Sequence, residues 1–237
     1  MKLIQTGIPG LDILFKGGIR KGASLLFAGA PGTGKSVAAL QFLCHGAQHD
    51  EPGLLITSEE SKANLSEYAA TLGWDLPAYE QQKRLFIVEY PLTQGRILSL
   101  ETPLALIKKH KIQRVSLDSL TLFKYQFTEE TSLRKEILQF LASMKSAGVT
   151  VVATAEQSVP SVDHLRYLDE AFLFEGLIIL RRVRKGASFE RVLNIEKMRG
   201  QPHVLNIYPL LIEKGGMKVL TEEVPFSLVE QQVRSRK

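Results

Sequence analysis

Short apolar runs alternate with segments of helical periodicity along most of the chain. The apolar runs cover residues 24–29, 53–58, 84–89, 114–118 and 149–155. Parallel strands need long crossover connections, which are usually helical, so this alternation predicts a mainly parallel sheet with helices on both faces. We therefore expect an α/β fold.

Four helical segments lie between these predicted strands. The first begins near Lys35, the second ends at Gly73, the third begins at Thr102 and the fourth ends at Gly148. Glycine is favoured just past a helix end because it adopts positive φ without steric cost. Threonine caps a helix well, and the proline that follows Thr102 suits a first helical position.

The pattern becomes β-rich after the last of these strands. Residues 172–183 and 190–198 flank the turn-forming sequence KGASF and predict a β-hairpin at the edge of the sheet. Residues 204–220 predict one more short hairpin. We expect a single domain over residues 1–237 with a C-terminal antiparallel extension, and a flexible basic tail at about 230–237.

The composition is that of a globular protein of 237 residues, with 44% hydrophobic and 23% charged residues. No apolar run approaches the roughly 18 residues of a membrane helix, and the first residues lack the apolar stretch of a signal peptide. The single cysteine, Cys44, excludes an internal disulfide and lies in an apolar helical run. We expect a cytoplasmic protein without membrane association, in which Cys44 is a core residue.

A net charge of +5 and a pI near 9.2 leave nucleic-acid binding open. The cations, however, are divided among three groups, at 108–111, 181–185 and 233–237, and no aromatic residues are interleaved for base stacking. Lysines of the first group suit the C-terminal end of a helix. A dedicated nucleic-acid groove is therefore not favoured.

The strongest motif is GAPGTGKS, residues 29–36, which follows an apolar strand and opens a helical segment. Glycines let backbone N–H groups converge on phosphate oxygens, and the helix N-terminus adds a favourable partial charge. Lys35 can reach the β- and γ-phosphates, and the Ser36 hydroxyl can ligate Mg²⁺. The predicted phosphate-binding residues are Ala30, Pro31, Gly32, Thr33, Gly34, Lys35, Ser36 and Val37.

Asp118 closes the apolar strand in RVSLDSL. A carboxylate at the C-terminal end of a strand beside a phosphate-binding loop can hold Mg²⁺, directly or through water. Asp118 could instead cap the turn that follows. With Ser36 as its partner, we expect Asp118 to be the metal ligand.

Further carboxylates follow the other predicted strands. Glu59 and Glu60 end the strand after the loop helix, where one of them could orient or deprotonate the water that attacks the γ-phosphate. They could equally be solvated or favour the next helix N-terminus. In ATAEQ, Thr154, Glu156 or Gln157 could sense the γ-phosphate, or could form an ordinary polar strand end.

Lys197 and Arg199 lie two residues apart at the end of the last long strand pattern, in EKMRGQPH. Strand alternation places them on the same face, so the two cations can act together. From composition alone they would be solvated surface charges.

These motifs together resemble the RecA superfamily and, within it, the KaiC-like ATPases. The resemblance rests on TGIPGLDILFKGGIRKG, TSEES, LGWD, LDSLTLF and EKMRGQPHVLNIYPLLI, and it extends from residue 6 to about 218. It implies a RecA-like core that binds ATP and Mg²⁺, with Glu59 or Glu60 as the catalytic base beside Lys35.

The resemblance also implies a hexameric ring with ATP between neighbouring subunits. In that ring, Lys197 and Arg199 would face the γ-phosphate bound by the next subunit, and His203 and Gln201 would lie near the same nucleotide. The function implied is slow ATP hydrolysis that regulates a protein partner. A DNA-binding RecA- or RadA-like motor is the alternative, and autokinase activity stays open.

The chain departs from the pattern of related families at several points, among them the late motif KMRG, which lacks the extra residues of the RadA-type repair proteins. Clock proteins of the family carry two such domains, whereas no second copy is evident here. The cysteine cluster of RadA-type repair proteins is absent. Pro202 replaces the more usual small hydroxyl residue, which leaves the backbone contact there open.

Overall fold

The computed structural model describes residues 2–90, 99–127, 129–157 and 168–226. Its strands are β1 Leu3–Ile4, β2 Ile19–Arg20, β3 Ser24–Gly29, β4 Gly53–Thr57, β5 Leu85–Glu89, β6 Arg114–Asp118, β7 Thr150–Glu156, β8 Gly176–Lys185, β9 Ser188–Met198, β10 Tyr208–Glu213 and β11 Gly216–Val219. Its helices are α1 Leu11–Leu14, α2 Lys35–Gln48, α3 Lys62–Thr71, α4 Leu76–Gln81, α5 Glu101–His110, α6 Thr121–Gln126 and α7 Glu130–Ser146, with a 3-10 helix at Asp169–Leu173. The predicted flexible tail lies outside the described residues.

The large sheet has the strand order β11-β10-β9-β8-β3-β7-β6-β4-β5. The six strands from β8 to β5 are mutually parallel, and β9, β10 and β11 continue the sheet in antiparallel order. This architecture confirms the expected α/β fold with its mainly parallel sheet and C-terminal antiparallel extension.

The predicted edge position of the β8–β9 hairpin is wrong. β8 pairs in parallel with β3, while β10 pairs with β9, so both strands of the hairpin lie inside the sheet. The edge is formed by β11 instead. Burial on both faces explains this placement, because Leu177 and Ile178, which are adjacent in β8, face opposite hydrophobic clusters.

The sheet has a hydrophobic core on each face. Alternate side chains of β3 supply both cores, since Leu25 and Phe27 pack with the first cluster and Leu26 and Ala28 with the second. α2 covers the first face and α7 the second. Continuous apolar character in β3 is thus the sign of a strand buried on both sides.

Helix ends agree with most of the sequence signals. Gly73 and Gly148 have φ of 88° and 73° and lie just beyond the ends of α3 and α7. The predicted cap at Thr102 is wrong, because α5 begins at Glu101 and places Thr102 inside the first turn. Pro103 is still tolerated there, since the first N–H groups of a helix have no intrahelical acceptor.

Cys44 is buried within α2, and burial raises the pKa of its thiol to about 12. This confirms the expectation of an inert core residue.

The longest described helix, α7, has 17 residues and a polar outer face. In the part of the chain that the structure describes, no helix is long and apolar enough to cross a membrane.

Gln41 of α2 fastens the C-terminal hairpin beside the start of that helix. Its amide donates to Gly7 O at 2.8 Å and Met217 O at 3.0 Å, and its oxygen accepts from Met217 N at 2.6 Å. Ile212 consequently packs against Gly34, where an added Cβ would lie 2.5 Å from Ile212 Cδ1. The hairpin therefore forms one wall of the region above the glycine-rich loop.

Candidate active site

The glycine-rich loop joins the end of β3 to the start of α2, as its sequence predicts. Gly32 and Gly34 have φ of 75° and 107°, a region that other residues enter with strain. Thr33 is buried, and its hydroxyl donates to Ala30 O at 2.8 Å, which closes the loop on itself. The loop therefore presents backbone N–H groups at a helix N-terminus, the arrangement that suits phosphate.

The Lys35 ammonium lies across this loop. Its Nζ donates to Gly29 O at 3.0 Å and Ala30 O at 3.1 Å. Burial lowers the pKa of Lys35, while the carboxylates of Glu156, Asp118 and Glu59 act in the opposite direction. The positive charge is thus held at the loop and surrounded by carboxylates.

The two predicted metal ligands lie together. The Ser36 hydroxyl donates to the carboxylate of Asp118, which is 4% exposed. Burial raises the pKa of Asp118, and hydrogen bonds from Thr154 and Ser36 oppose that rise. Thr154 is fully buried and contacts Asp118 rather than the loop, so it supports this carboxylate and is not placed to sense a phosphate.

A hydroxyl and a carboxylate fit Mg²⁺, which keeps several waters and shares phosphate oxygens with the protein. Among the residues described, no three His, Cys, Asp or Glu side chains gather into a metal-binding group. A Mg²⁺ ion at this position would therefore depend on Ser36, Asp118, nucleotide phosphates and water.

The structure separates the two adjacent glutamates, which the sequence could not do. Glu59 accepts a hydrogen bond from Ser119 Oγ and faces the Lys35–Asp118 cluster. Glu60 turns towards α3, where its Oε2 accepts from Asn64 Nδ2 at 3.1 Å. Sequence reasoning missed Ser119, although it directly follows Asp118.

The other polar residues at the end of β7 have different surroundings. Glu156 is exposed and pairs in register with Gly29, which brings its carboxylate near Lys35. Gln157 is buried, and its backbone N–H donates to Gly29 O at 3.0 Å. Of the three candidates in ATAEQ, only Glu156 therefore has an exposed side chain beside the loop lysine.

A cavity of about 500 Å³ opens next to the loop. Its size is within the range of ligand pockets. The lining includes several residues that sequence reasoning did not single out: Asn64, Leu65, Tyr68, Arg191 and Ile212. Arg191 Nε donates to Gly32 O at 3.1 Å, so this wall is attached to the loop itself. Val37 is buried in the core, which leaves only its N–H for a phosphate.

Lys197 and Arg199 lie at the end of the sheet where the parallel strands begin, whereas the loop lies at the end where these strands terminate. Gly29 of β3 is level with Leu180 of β8, whereas Leu25 is level with Gly176, the partner of Met198. Four residues of parallel strand separate these two levels, which is about 13 Å. The two cations therefore cannot complete the site of their own chain.

A β-bulge sets the direction of Lys197. Ile178 pairs with Ile195 and Leu177 pairs with Lys197, so Glu196 is the extra residue. Without the bulge, Lys197 would share the core face of Ile195; with it, Lys197 shares the opposite face with Leu177. Bulges often re-aim a side chain near a functional site in this way.

Both cations reach the same short helix. Lys197 Nζ donates to Ala171 O at 3.1 Å, and Arg199 Nη2 donates to Phe172 O at 3.1 Å. Burial and the nearby Arg199 charge lower the pKa of Lys197. The expectation that the two side chains share a face agrees with these contacts, although the bulge as well as strand alternation is responsible.

The remaining residues of this segment differ in their freedom. The Gln201 amide is buried and donates to Phe15 O at 2.8 Å and to Gly18 O, so it is committed to its own chain. His203 is half-buried. Pro202 is exposed.

Comparison with known proteins identifies relatives of this arrangement. The family model described as "ATPase: KaiC" matches residues 4–224. The circadian clock oscillator protein KaiC of Parathermosynechococcus lividus is 34% identical over 225 residues, covering 91% of this chain and 42% of the relative. The protein of the same name from Acaryochloris marina is 35% identical over 226 residues, covering 91% and 43%.

A solved structure agrees with the fold over nearly its whole length. It is a KaiC-like protein from the hyperthermophilic archaeon Pyrococcus horikoshii OT3, with a TM-score of 0.81 and 32% identity. The match covers 92% of this chain and 99% of that one. The chain spans less than half the length of the curated KaiC relatives, but almost all of this archaeal structure.

Proposed function

The chain belongs to the KaiC family of ATPases, and we propose that it binds and hydrolyses Mg-ATP between neighbouring subunits of a ring. The observation that carries the proposal is the division of the site between the two ends of the parallel strands of one sheet. The phosphate-binding loop, Asp118 and Glu59 meet where the parallel strands terminate, whereas Lys197 and Arg199 lie where these strands begin. Such a division suits a head-to-tail interface.

The loop residues bind the triphosphate. Backbone N–H groups from Gly32 to Val37 surround the phosphates, and Lys35 moves its ammonium from the loop carbonyls to phosphate oxygens. Ser36 and Asp118 would hold the Mg²⁺ ion, which neutralises charge on the β- and γ-phosphates when bound. The cavity beside Tyr68 and Arg191 is large enough for the remainder of the nucleotide.

Glu59 is our choice for the general base. It points into the Lys35–Asp118 cluster, and Ser119 fixes its carboxylate by a hydrogen bond. A carboxylate held there can orient water and accept its proton as the water attacks the γ-phosphate. Glu60 is engaged by Asn64 and serves the wall of the cavity.

Lys197 and Arg199 act on the nucleotide bound by the adjacent subunit. The planar arginine fork suits the charge that spreads over the transferring phosphoryl group. A hexamer, with His203 near the shared nucleotide, is the assembly that the family resemblance implies. Hydrolysis would then change the state of a regulatory protein partner.

The first test is the mass of the protein in solution with and without Mg-ATP. We expect a ring, with six subunits as the favoured number, that forms or is strengthened in the presence of Mg-ATP, since the nucleotide joins two subunits. The measurement is light scattering coupled to size exclusion. A monomer under both conditions would contradict the shared site.

The same preparation separates the DNA-motor alternative. Stimulation of hydrolysis by single-stranded DNA, with binding that weakens steeply as salt rises, would favour that alternative. An ATPase rate that single-stranded DNA leaves unchanged is the result we expect.

A further inference from the structure

Arg199 is held by its backbone on both sides, although it lies one residue beyond the end of β9. Its N–H donates to Glu175 O at 2.8 Å, and its carbonyl accepts from Arg20 Nη2 at 3.0 Å. A residue outside a strand has no ladder of its own to satisfy these groups. Contacts from two other parts of the chain therefore replace the ladder here.

Arg20 and Glu175 are also joined to each other. Arg20 Nη2 donates to Glu175 Oε2 at 2.9 Å, and the two side chains are 28% and 20% exposed. Lys145 Nζ reaches the other oxygen, Oε1, at 2.9 Å from a more exposed position. The Glu175 N–H donates to Ser24 O at 3.0 Å, which attaches the pair to the first residue of β3.

Gly200 and Gln201, which follow Arg199, are anchored by Arg20, a residue of β2. Gly200 lies beside the Arg20 guanidinium, and Gln201 Oε1 accepts from Arg20 N at 3.1 Å. The Gln201 amide then binds the carbonyls of Phe15 and Gly18. Residues 199–201 are thus fixed from β2, from the residue that precedes β8 and from the segment after α1.

We propose that Arg20 and Glu175 are positioning residues that aim Arg199 at the nucleotide of the adjacent subunit. Arginine has a long side chain with much rotamer freedom, so its effect on a transition state depends on a fixed backbone origin. Misplacement of a charge-stabilising group by about 1 Å can lower a rate on the order of 100-fold. The proposal rests on the function proposed above, because the position of Arg199 matters only if it acts in the neighbouring site.

The test is the kinetics of Arg20→Ala and Glu175→Gln. We expect kcat to fall about 10-fold or more for Arg20→Ala, and less for Glu175→Gln, which keeps its shape and its backbone carbonyl. KM and the equilibrium affinity for ATP should stay within about twofold of the wild-type values, because the phosphate-binding loop lies at the other end of the parallel strands from Arg20 and Glu175. Arg20→Lys should recover part of the loss, since an ammonium can replace the single Nη2 donor that serves both acceptors but lacks the rigid, planar guanidinium.

Arg84→Ala is the matched control. Arg84 also binds one carboxylate, Asp50 at 2.7 Å, and one carbonyl, Ala47 O at 3.3 Å, away from the residue 199–201 segment. It should leave kcat unchanged. An equal loss of kcat in Arg84→Ala would overturn the proposal, as would an Arg20→Ala protein that no longer reaches the wild-type mass with Mg-ATP.

Mixing experiments distinguish positioning from other roles. Arg20→Ala mixed with Lys35→Ala should regain activity, because some interfaces pair an intact loop with an intact Arg199 segment. Arg20→Ala mixed with Arg199→Ala should regain none, since every interface then carries a defective segment; recovery in that mixture would refute the assignment. If Arg199→Ala itself hydrolyses ATP normally, the proposed function fails; if only Arg20→Ala does, this inference alone fails.

Discussion

Replacing Lys35 with alanine will remove most nucleotide binding and, with it, turnover. The ammonium lies directly against its own phosphate-binding loop, 3.0 Å from Gly29 O and 3.1 Å from Ala30 O. In the variant, the negative charges of Glu156, Asp118 and Glu59 would face the triphosphate without that compensation. We expect ATP affinity to fall about 100-fold or more, measured by calorimetric titration with Mg-ATP.

Folding should survive this change, because the Lys35 side chain bonds only to loop carbonyls among its described contacts. Lys62→Ala is the matched control: Lys62 follows the glutamates at the same edge of the sheet but pairs with Glu80 at 2.8 Å. That variant should bind ATP with wild-type affinity. Tight ATP binding by Lys35→Ala would refute the assignment of the loop.

Replacing Glu59 with glutamine will stop turnover while ATP still binds. The amide keeps the size of the side chain and can still contact Ser119, but it cannot take a proton from water. General bases contribute roughly 10²- to 10⁴-fold to a rate, so we expect kcat to fall by a factor in that range. The measurement is the rate of phosphate release under saturating Mg-ATP. The double replacement of Glu59 and Glu60 should be as inactive as Glu59→Gln alone.

Glu60→Gln is the internal control, since it changes the neighbouring carboxylate in the same chemical way. Glu60 bonds to Asn64 rather than facing Lys35, so this variant should retain most of its turnover. The opposite ranking would transfer the role of base to Glu60. Unchanged turnover in the double variant would mean that both carboxylates are merely solvated.

Features encoded in contiguous residues could be predicted from the sequence. The phosphate-binding loop needs a buried strand, glycines with positive φ and a helix N-terminus, and all three are local properties of residues 24–48. Asp118 likewise follows from a strand end beside that loop. The alternation of apolar strands and helices was sufficient for five of the six parallel strands, but not for the position of β8 beside β3.

Features that depend on distant contacts could not be predicted. Glu59 and Glu60 are adjacent in sequence, and the hydrogen bond that holds Glu59 comes from Ser119, 60 residues away. The direction of Lys197 depends on a bulge that periodicity does not reveal. Arg20, which holds Arg199, is 155 positions away from Glu175 and 179 positions away from Arg199 in the sequence. No local pattern therefore indicates these contacts.

The hairpin shows a related limit. Apolar alternation identified β8 and β9 as a pair, but the strand on the outer side of β9 is chosen by tertiary packing. Pairing of Leu210 with Arg191 and of Tyr208 with Leu193 places β10 there and moves the edge to β11. Exposure of an edge cannot be inferred from a hairpin pattern alone.

The central claim, a site shared between subunits, is tested most directly by mixing Arg199→Ala with Lys35→Ala. Each variant should be nearly inactive by itself, one through its Arg199 segment and the other through its loop. In a random equimolar ring, about a quarter of the head-to-tail interfaces would pair an intact loop with an intact Arg199. We predict that the mixture recovers activity of that order after exchange of subunits; a mixture as inactive as its two components, in rings shown to contain both, would contradict the shared site.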